Sequence, residues 1–140
     1  MKEGFQALDR TLPFSGVEVI DTEVLDCFDY EYPGRDIEIE TKTEEFTSVC
    51  PFSGLPDFAA LTITYTPDKS CLELRSLKYY LMSYRNVGIW YEHLVNRMLD
   101  DLVQACKPKS MSIRIEVNSR GGLSSNVEAS YRGCEKEDQI

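Results

Sequence analysis

The alternation of apolar and polar residues predicts β-strands in four places. Threonines alternate with Leu, Ile and Tyr over residues 61–66, which is typical of a half-buried strand. The same period of two appears at 71–75, 111–117 and 123–131. The segment TPDKS predicts a hairpin turn between the first two strands, and Arg-Gly-Gly at 120–122 predicts the turn between the last two.

Between these pairs of strands the apolar period lengthens to that of a helix. Four apolar residues at spacings of three and four predict a helix that Ser76 caps: Leu77, Tyr80, Leu81 and Tyr84. A longer apolar stripe predicts a second helix over 87–105, which Lys107-Pro108 ends. The order ββααββ predicts an α+β fold, an antiparallel sheet with two helices on one face.

The remaining segments flank this unit. A length of 140 residues is that of one domain. Residues 1–34 are acidic and rich in turn formers, so we expect an extension that wraps the domain or is mobile. The domain itself is predicted to span 35–134, beginning with an extended stretch at 35–49, and 135–140 to form an acidic tail.

Charge narrows the range of partners. The net charge of −9 disfavours a general nucleic-acid binder, which needs a basic surface. Residues 1–50 alone carry −9, whereas 51–134 carry +2 and 135–140 carry −2. The middle of the chain, which holds every candidate site residue below except Cys50 at its border, is therefore locally basic and open to anionic ligands.

Composition and missing motifs exclude further classes. The chain has no apolar run near the roughly 20 residues of a membrane helix and no apolar stretch after its N-terminal lysine, so a cytoplasmic protein is expected. Its five cysteines form no C-x-x-C, which favours reduced thiols. One histidine, without G-x-S-x-G, G-x-G-x-x-G or Walker motifs, disfavours zinc hydrolases, serine hydrolases, Rossmann enzymes and P-loop enzymes.

One segment combines a thiol with a carboxylate. In EFTSVCPFSGLPDF, Cys50 ends a predicted strand, and Asp57 follows across a short loop rich in Pro, Gly and Ser. A nucleophile and a proton donor could be placed in this way. On spacing alone, a small buried thiol and an ordinary turn aspartate are the favoured interpretation.

Two other segments carry polar groups where elements begin. ELRSLKYY at 73–80 gathers charged groups and a hydroxyl at a helix start, where backbone N–H groups favour anions; a solvated strand end is the alternative. Glu92 lies at the flank of the apolar stripe, where a half-buried carboxylate could bind a heterocycle rich in donors, or be an ordinary flank residue. His93 faces outward and is expected at the surface.

Together these segments resemble the NADPH-dependent 7-cyano-7-deazaguanine reductases, nitrile reductases of queuosine biosynthesis with the tunnel fold. The family motif E-(S/L)-K-(S/A)-h-K-(L/Y)-(Y/F/W), in which h is apolar, is matched at seven of eight positions by 73–80, with Arg75 in place of lysine. Cys50-Pro51 and Pro56-Asp57 match the family's nucleophile segment. The resemblance covers about residues 35–131.

The resemblance implies a role for each matched residue. Cys50 would attack the nitrile carbon to form a covalent thioimide, and Asp57 would donate protons. Residues that bind the substrate would be Leu72, Glu73, Leu74, Tyr91 and Glu92. Residues near the NADPH phosphates would be Arg75, Ser76 and Lys78. No metal is implied, and the substrate would be the free base rather than a nucleic acid.

Two further expectations follow from the resemblance. Many members carry His-Glu where this chain has Tyr91-Glu92, so the Tyr91 hydroxyl or His93 would take over part of the histidine's role. Exposed sheet edges would pair between copies into a barrel, two pentamers stacked as a decamer.

Two alternative functions remain for a chain with this fold: a tunnel-fold amidinotransferase that acts on the nitrile base in tRNA, and a non-catalytic assembly protein. A cyclohydrolase of the same fold is disfavoured, because a chain with one histidine cannot readily supply the ligands of its zinc ion.

Overall fold

The structure, a computed structural model, describes residues 10–133. Two single 3₁₀ turns, Val17–Val19 and Thr22–Val24, precede the regular elements. In chain order these elements are β1 (Cys27–Asp29), β2 (Ile39–Val49), β3 (Pro56–Thr66), β4 (Ser70–Leu72), α1 (Leu74–Met82), α2 (Tyr91–Cys106), β5 (Ser110–Arg120) and β6 (Leu123–Arg132). No helix of this described part is long and apolar enough to cross a membrane.

The main sheet has four antiparallel strands in the order β2-β3-β5-β6. Residues on one face of its central strands are buried against the helices, among them Leu61, Ile63 and Ile113, each exposed by no more than 1%. The other face of β3 carries half-buried threonines, as the alternation predicts. The predicted α+β architecture and its ββααββ order are confirmed, with β2 and β3 as the first pair.

The predicted hairpin between 61–66 and 71–75 is wrong. Strand β3 is hydrogen-bonded to β2 on one side and to β5 on the other, so neither of its edges can accept another strand. The chain therefore leaves the main sheet after residue 66. The short strand β4 pairs with β1 instead, in a two-stranded sheet that places Leu72 opposite Cys27.

The starts of both helices also differ from the prediction. Glu73 rather than Ser76 caps α1, because its carboxylate accepts hydrogen bonds from the backbone N–H groups of Arg75 and Ser76 at 2.9 and 2.7 Å. Helix α2 begins at Tyr91, not at residue 87, because Val87 and Gly88 form β-bridges that keep the backbone extended. Its N-cap is Trp90, which is 55% exposed.

The N-terminal residues 10–34 lie against the domain. Ile20 is buried in the core, Ser15 forms a bridge with Val87, and β1 pairs with β4 as described above. Glu73 donates its backbone N–H to the carbonyl of Asp26, which links this segment to the start of α1. The predicted acidic tail, 135–140, lies outside the described residues.

A buried polar network connects the two helices, and we call it the helix network. The hydroxyl of Tyr80 donates to the Asp101 carboxylate at 2.6 Å and shares a 2.8 Å hydrogen bond with the hydroxyl of Tyr84. Arg97 pairs with the same carboxylate oxygen of Asp101 at 2.9 Å. Both tyrosines are fully buried, so the network fixes α1 against α2 from inside the core.

Candidate active site

Cys50 follows directly on β2 and opens a tight loop, residues 50–55. The backbone N–H of Cys50 donates to Leu55 at 2.9 Å, and its carbonyl accepts from Gly54 at the same distance, so the loop is closed on itself. Gly54 has a φ of +77°, a conformation that favours glycine. The Cys50 sulfur accepts hydrogen bonds from the N–H groups of Phe52 and Ser53 at 3.4 and 3.5 Å.

These donors change the acidity of the thiol. Partial burial raises the pKa of Cys50, but the hydrogen bonds from Ser53 and Phe52 outweigh it, so the pKa lies below its ordinary value. The other three described thiols, Cys27, Cys71 and Cys106, differ from Cys50, because burial raises the pKa of each above its ordinary value. The pKa of Cys106 is raised to about 12. Among the thiols that the structure describes, Cys50 therefore combines hydrogen-bond donors at its sulfur with a lowered pKa, as a nucleophilic thiol would require.

Asp57 lies at the start of β3 and is 6% exposed. Its carboxylate forms an ion pair with Arg120, from the end of β5. The hydroxyl of Thr47 donates to the backbone carbonyl of Asp57 at 2.8 Å, which fixes the strand at this point. Asp57 is thus a buried, ion-paired carboxylate held in a fixed position close to the Cys50 loop.

Arg120 is a site residue that the sequence alone did not reveal. Its position suggested only a turn before Gly121 and Gly122. The pairing of Ala59 with Val117 brings the end of β5 beside the start of β3, and hence Arg120 beside Asp57. A signal existed in the sequence, a basic residue at the end of an alternating strand, but its use required the strand register.

Two buried hydroxyls near Asp57 lack a hydrogen-bond partner. They belong to Tyr91 and Ser48, and within residues 10–133 no other buried side-chain polar atom is unpaired. Ser48 lies directly opposite Asp57 in the β2–β3 pairing, so both side chains lie on the same face of the sheet. Burial raises the pKa of Tyr91, and so does the nearby Asp57 carboxylate, through a contact with the hydroxyl that falls outside normal hydrogen-bond geometry and through its charge. Because buried hydroxyls almost always have partners, this arrangement fits a polar ligand.

We call Cys50, Asp57, Tyr91 and Arg120 the site corner. Val49 pairs with Pro56 and forms a bridge with Gly88, which brings the segments that carry Cys50, Asp57 and Tyr91 to the same end of the sheet. Backbone hydrogen bonds hold their segments in place: the N–H of Val49 donates to Val87 at 3.0 Å, and that of Ile89 donates to Val49 at 3.4 Å. The corner thus joins a thiol of lowered pKa, a carboxyl group and a hydroxyl without a hydrogen-bond partner of normal geometry.

The other two residues of the YEH segment are exposed. Glu92 lies in the first turn of α2 with its side chain exposed, not half-buried as expected, because Leu94 and Val95 occupy the buried face of the helix there. Its carbonyl accepts a 2.8 Å hydrogen bond from the side chain of Asn96. His93 lies at the surface, as predicted.

The ELRSLKYY motif surrounds the start of α1. Leu72 is buried, with its N–H bonded to the Tyr65 hydroxyl at 2.9 Å. Ser76 is buried as well, and its hydroxyl accepts from Asp26 and donates to the carbonyl of Glu73 at 2.8 Å. The side chains of Leu74, Arg75 and Lys78, the other candidates of this motif, are exposed.

A cavity of about 620 Å³ lies between α1 and the β2–β3 edge. Leu74, Lys78 and Arg85 line it on the helix side, and Phe58 lines it on the sheet side. Cys50, Asp57, Tyr91 and Glu92 do not line this cavity. Within a single chain, the site corner and the cavity that Lys78 and Arg85 line are therefore two separate places.

The chemistry of the exposed cations fits a phosphate-bearing cofactor. Arg75 and Lys78 lie in the first turns of α1, and Arg85 borders the cavity beside Lys78. Guanidinium and ammonium groups are the side chains that bind phosphate. Across residues 10–133 no group of three or more His, Cys, Asp or Glu side chains could hold a metal ion.

Comparison with known proteins identifies the fold class first. The sequence model of the family described as "QueF-like protein" matches residues 56–136. The crystal structure of an archaeosine synthase QueF-Like in the apo form superposes with a TM-score of 0.61. The match covers 71% of this chain and 96% of that one at 24% identity. The chain therefore has the QueF-like tunnel fold.

Curated relatives are closer in sequence. A protein of Caldicellulosiruptor bescii is 56% identical over 122 residues, which is 87% of this chain and 93% of that protein. A protein of Chlorobaculum tepidum is 55% identical over 109 residues, covering 78% of this chain and 93% of that protein. Both are named NADPH-dependent 7-cyano-7-deazaguanine reductase. The chain belongs to the family of NADPH-dependent 7-cyano-7-deazaguanine reductases, as its motifs indicated.

Proposed function

We propose that this chain reduces the nitrile of 7-cyano-7-deazaguanine to the aminomethyl group of 7-aminomethyl-7-deazaguanine, with NADPH, in queuosine biosynthesis. The observation that carries the proposal is the site corner, where the Cys50 thiol of lowered pKa lies beside Asp57 and the unpaired hydroxyl of Tyr91. The relatives named for this reaction are more than half identical to the chain. The cytoplasm, as the source of the free base and of NADPH, is the compartment that this reaction requires.

Cys50 begins the reaction by covalent catalysis. Its thiolate adds to the nitrile carbon, so a carbon–sulfur bond forms while one π bond of the nitrile breaks. The electron pair of that bond moves to nitrogen, which takes a proton from Asp57, and the product is a thioimide. The carbon–nitrogen double bond is a better hydride acceptor than the nitrile was.

NADPH, when bound, would supply two hydride equivalents, so the reduction would consume four electrons in all. After the first hydride has reached the thioimide carbon, the carbon–sulfur bond breaks, Cys50 leaves as the thiolate, and the resulting imine would accept the second hydride. Arg75 and Lys78, both exposed on α1, would hold its phosphates. Ser76 lies between them with its hydroxyl bonded to Asp26 and Glu73, so it orders the turn that presents both cations. Asp57 returns protons to the developing amine, and Arg120 balances the charge of its carboxylate.

The base is recognised by residues around both helix starts. The carboxylate of Glu92 accepts hydrogen bonds from the N–H donors of the deazaguanine ring, and the Tyr91 hydroxyl takes a polar partner that it lacks in the free chain. The backbone and side chains of Leu72, Glu73 and Leu74 form another wall of the pocket. His93, exposed next to Glu92, contributes at the rim.

A second copy of the chain completes the pocket. The cavity along α1 and the site corner are separate in one chain, and β2 and β6 are edge strands of the main sheet. Large apolar side chains near Cys50 are exposed, with Phe52 at 82% and Leu55 at 45%. Edge pairing into a barrel of two stacked pentamers would cover these residues and join the two halves of the site.

The test follows NADPH absorbance while purified protein is mixed with 7-cyano-7-deazaguanine. We expect about two NADPH oxidised per base, from the hydride count of a nitrile-to-amine reduction, no oxidation with Cys50→Ala, and full activity with the control Cys27→Ala. Absence of both NADPH oxidation and a Cys50 adduct by mass spectrometry would refute the proposal. An adduct that forms without NADPH oxidation, followed by amidine formation on tRNA, would assign the chain to the tunnel-fold amidinotransferases instead.

A further inference from the structure

Residues 10–16 cross the back of the site corner, and we call this segment the strap. The backbone N–H of Leu12 donates to the carbonyl of Ser53 at 2.8 Å, inside the loop that Cys50 opens. Three residues later Ser15 donates to Asn86 at 2.8 Å and accepts from Gly88 at 3.0 Å. The strap thus connects the Cys50 loop with the segment that leads into Tyr91.

Two glycines leave the space that the strap occupies. A Cβ atom on Gly88 would lie 2.4 Å from a ring carbon of Phe14, and one on Gly54 would lie 2.2 Å from the carbonyl oxygen of Leu12. Gly88 has no positive φ, so the backbone conformation there does not require glycine and only the contact with Phe14 does. Both segments of the site corner are therefore shaped to receive the strap.

The strap adds little to the core by burial. Leu12 and Phe14 are 38% and 39% exposed, unlike Ile20 from the same N-terminal region, which is 6% exposed. The backbone hydrogen bonds of the strap go to the site loop and to residues 86–88, not to the main sheet. Its contacts are therefore concentrated on the segments that carry Cys50 and Tyr91.

We propose that the strap is a positioning element, which holds loop 50–55 in the conformation that aims the N–H groups of Phe52 and Ser53 at the Cys50 sulfur. The contact between Phe14 and Gly88 anchors the strap on one side, and the bond from Leu12 to Ser53 transmits the restraint to the loop. The proposal deepens the proposed function, because it rests on Cys50 as the nucleophile. Without the strap, the loop would lose the geometry that favours the thiolate.

The experiment compares Phe14→Ala and Gly88→Ala with Phe28→Ala, a control of the same residue type on β1. Cys50 is alkylated by iodoacetamide across a pH series, without base or NADPH, and its modification is followed by peptide mass spectrometry. For both strap variants we expect the midpoint to rise by about half a pH unit, which is about threefold less thiolate at neutral pH. Phe28→Ala should leave the midpoint unchanged.

The double variant Phe14→Ala with Gly88→Ala separates this role from general destabilisation. Because both substitutions break the same contact, their shifts should not add. Additive shifts, unchanged midpoints in both single variants, or an equal shift in Phe28→Ala would overturn the proposal. A shifted midpoint in a protein that does not oxidise NADPH would keep the strap as a positioning element and refute the reductase activity alone.

Discussion

Two clusters in the molecule contain the same kinds of side chain and have opposite properties. The helix network joins Asp101 with two tyrosines and Arg97, and every tyrosine hydroxyl in it has a hydrogen-bond partner. The site corner joins Asp57 with Tyr91 and Arg120, and there the tyrosine hydroxyl is buried without one. One cluster is closed within the chain, and the other is incomplete.

The difference follows from what surrounds each carboxylate. Asp101 is enclosed between two helices and receives both a hydroxyl and a guanidinium group, which compensate the cost of its burial. Asp57 is paired only with Arg120, whose side chain is 53% exposed, and it lies opposite the unpaired Ser48. A satisfied network stabilises the fold, whereas an unsatisfied one fits a ligand.

The largest contrast is expected in catalysis. Asp57→Asn keeps the size of the side chain but removes its proton donor, so kcat should fall by about a thousandfold. Asp101→Asn, the matched change in the helix network, should leave kcat unchanged in the folded protein. Steady-state NADPH oxidation measures both variants, and an equal loss in the two would contradict the division of roles.

The second contrast concerns stability, and here the larger loss is expected for Asp101 and the smaller one for Asp57. Asp101→Ala leaves Tyr80 and Arg97 without their buried partner, so the free energy of unfolding should fall by about 3 kcal/mol. Asp57→Ala should cost less, because Arg120 is solvated. Urea denaturation gives both values, and a larger loss for Asp57→Ala would show that the site corner supports the fold.

The smallest contrast is expected between the stability effects of removing the hydroxyls of Tyr80 and Tyr91. Tyr80→Phe should lower the free energy of unfolding by about 1 kcal/mol, because it removes a paired hydroxyl. Tyr91→Phe removes an unpaired one and should cost nothing, while the KM for the base rises. A measurable loss of stability in Tyr91→Phe would mean that its hydroxyl has a partner in the free chain.

The stabilisation that the Tyr80 hydroxyl provides depends on pH. Burial, and then the charge of Tyr84, raises the pKa of Tyr80 above its ordinary value near 10. The unfolded chain then loses this proton at a lower pH than the folded chain does. The stabilisation is complete below pH 10 and is lost as the pH rises above it, and Tyr80→Phe should reduce that alkaline loss.

The parts of the fold that depend on local pattern could be predicted from the sequence. Alternation placed Leu61, Ile63 and Tyr65 on one face because a strand has a period of two, and the structure buries all three. The hairpin to 71–75 was wrong because pairing is decided by competition: β5 occupies the edge of β3 that the hairpin would need. Local turn chemistry contains no information about that competitor.

The site shows the same division. Cys50 and Asp57 could be selected from their spacing and the resemblance, because they are only seven positions apart along the chain. Arg120 could not, since it comes from a strand 63 residues further along the chain. Nor could the exposure of Glu92, because the bridges of Val87 and Gly88 move the start of α2 and are themselves long-range contacts.

The position of Trp90 has an optical consequence. It is the only tryptophan of the chain, it is half-exposed, and it directly precedes Tyr91 at the start of α2. Excitation at the red edge of the absorption band, where tyrosines do not absorb, selects this one indole. Its emission therefore samples the mouth of the site, and the protein carries an intrinsic fluorescent reporter for ligands that bind beside it.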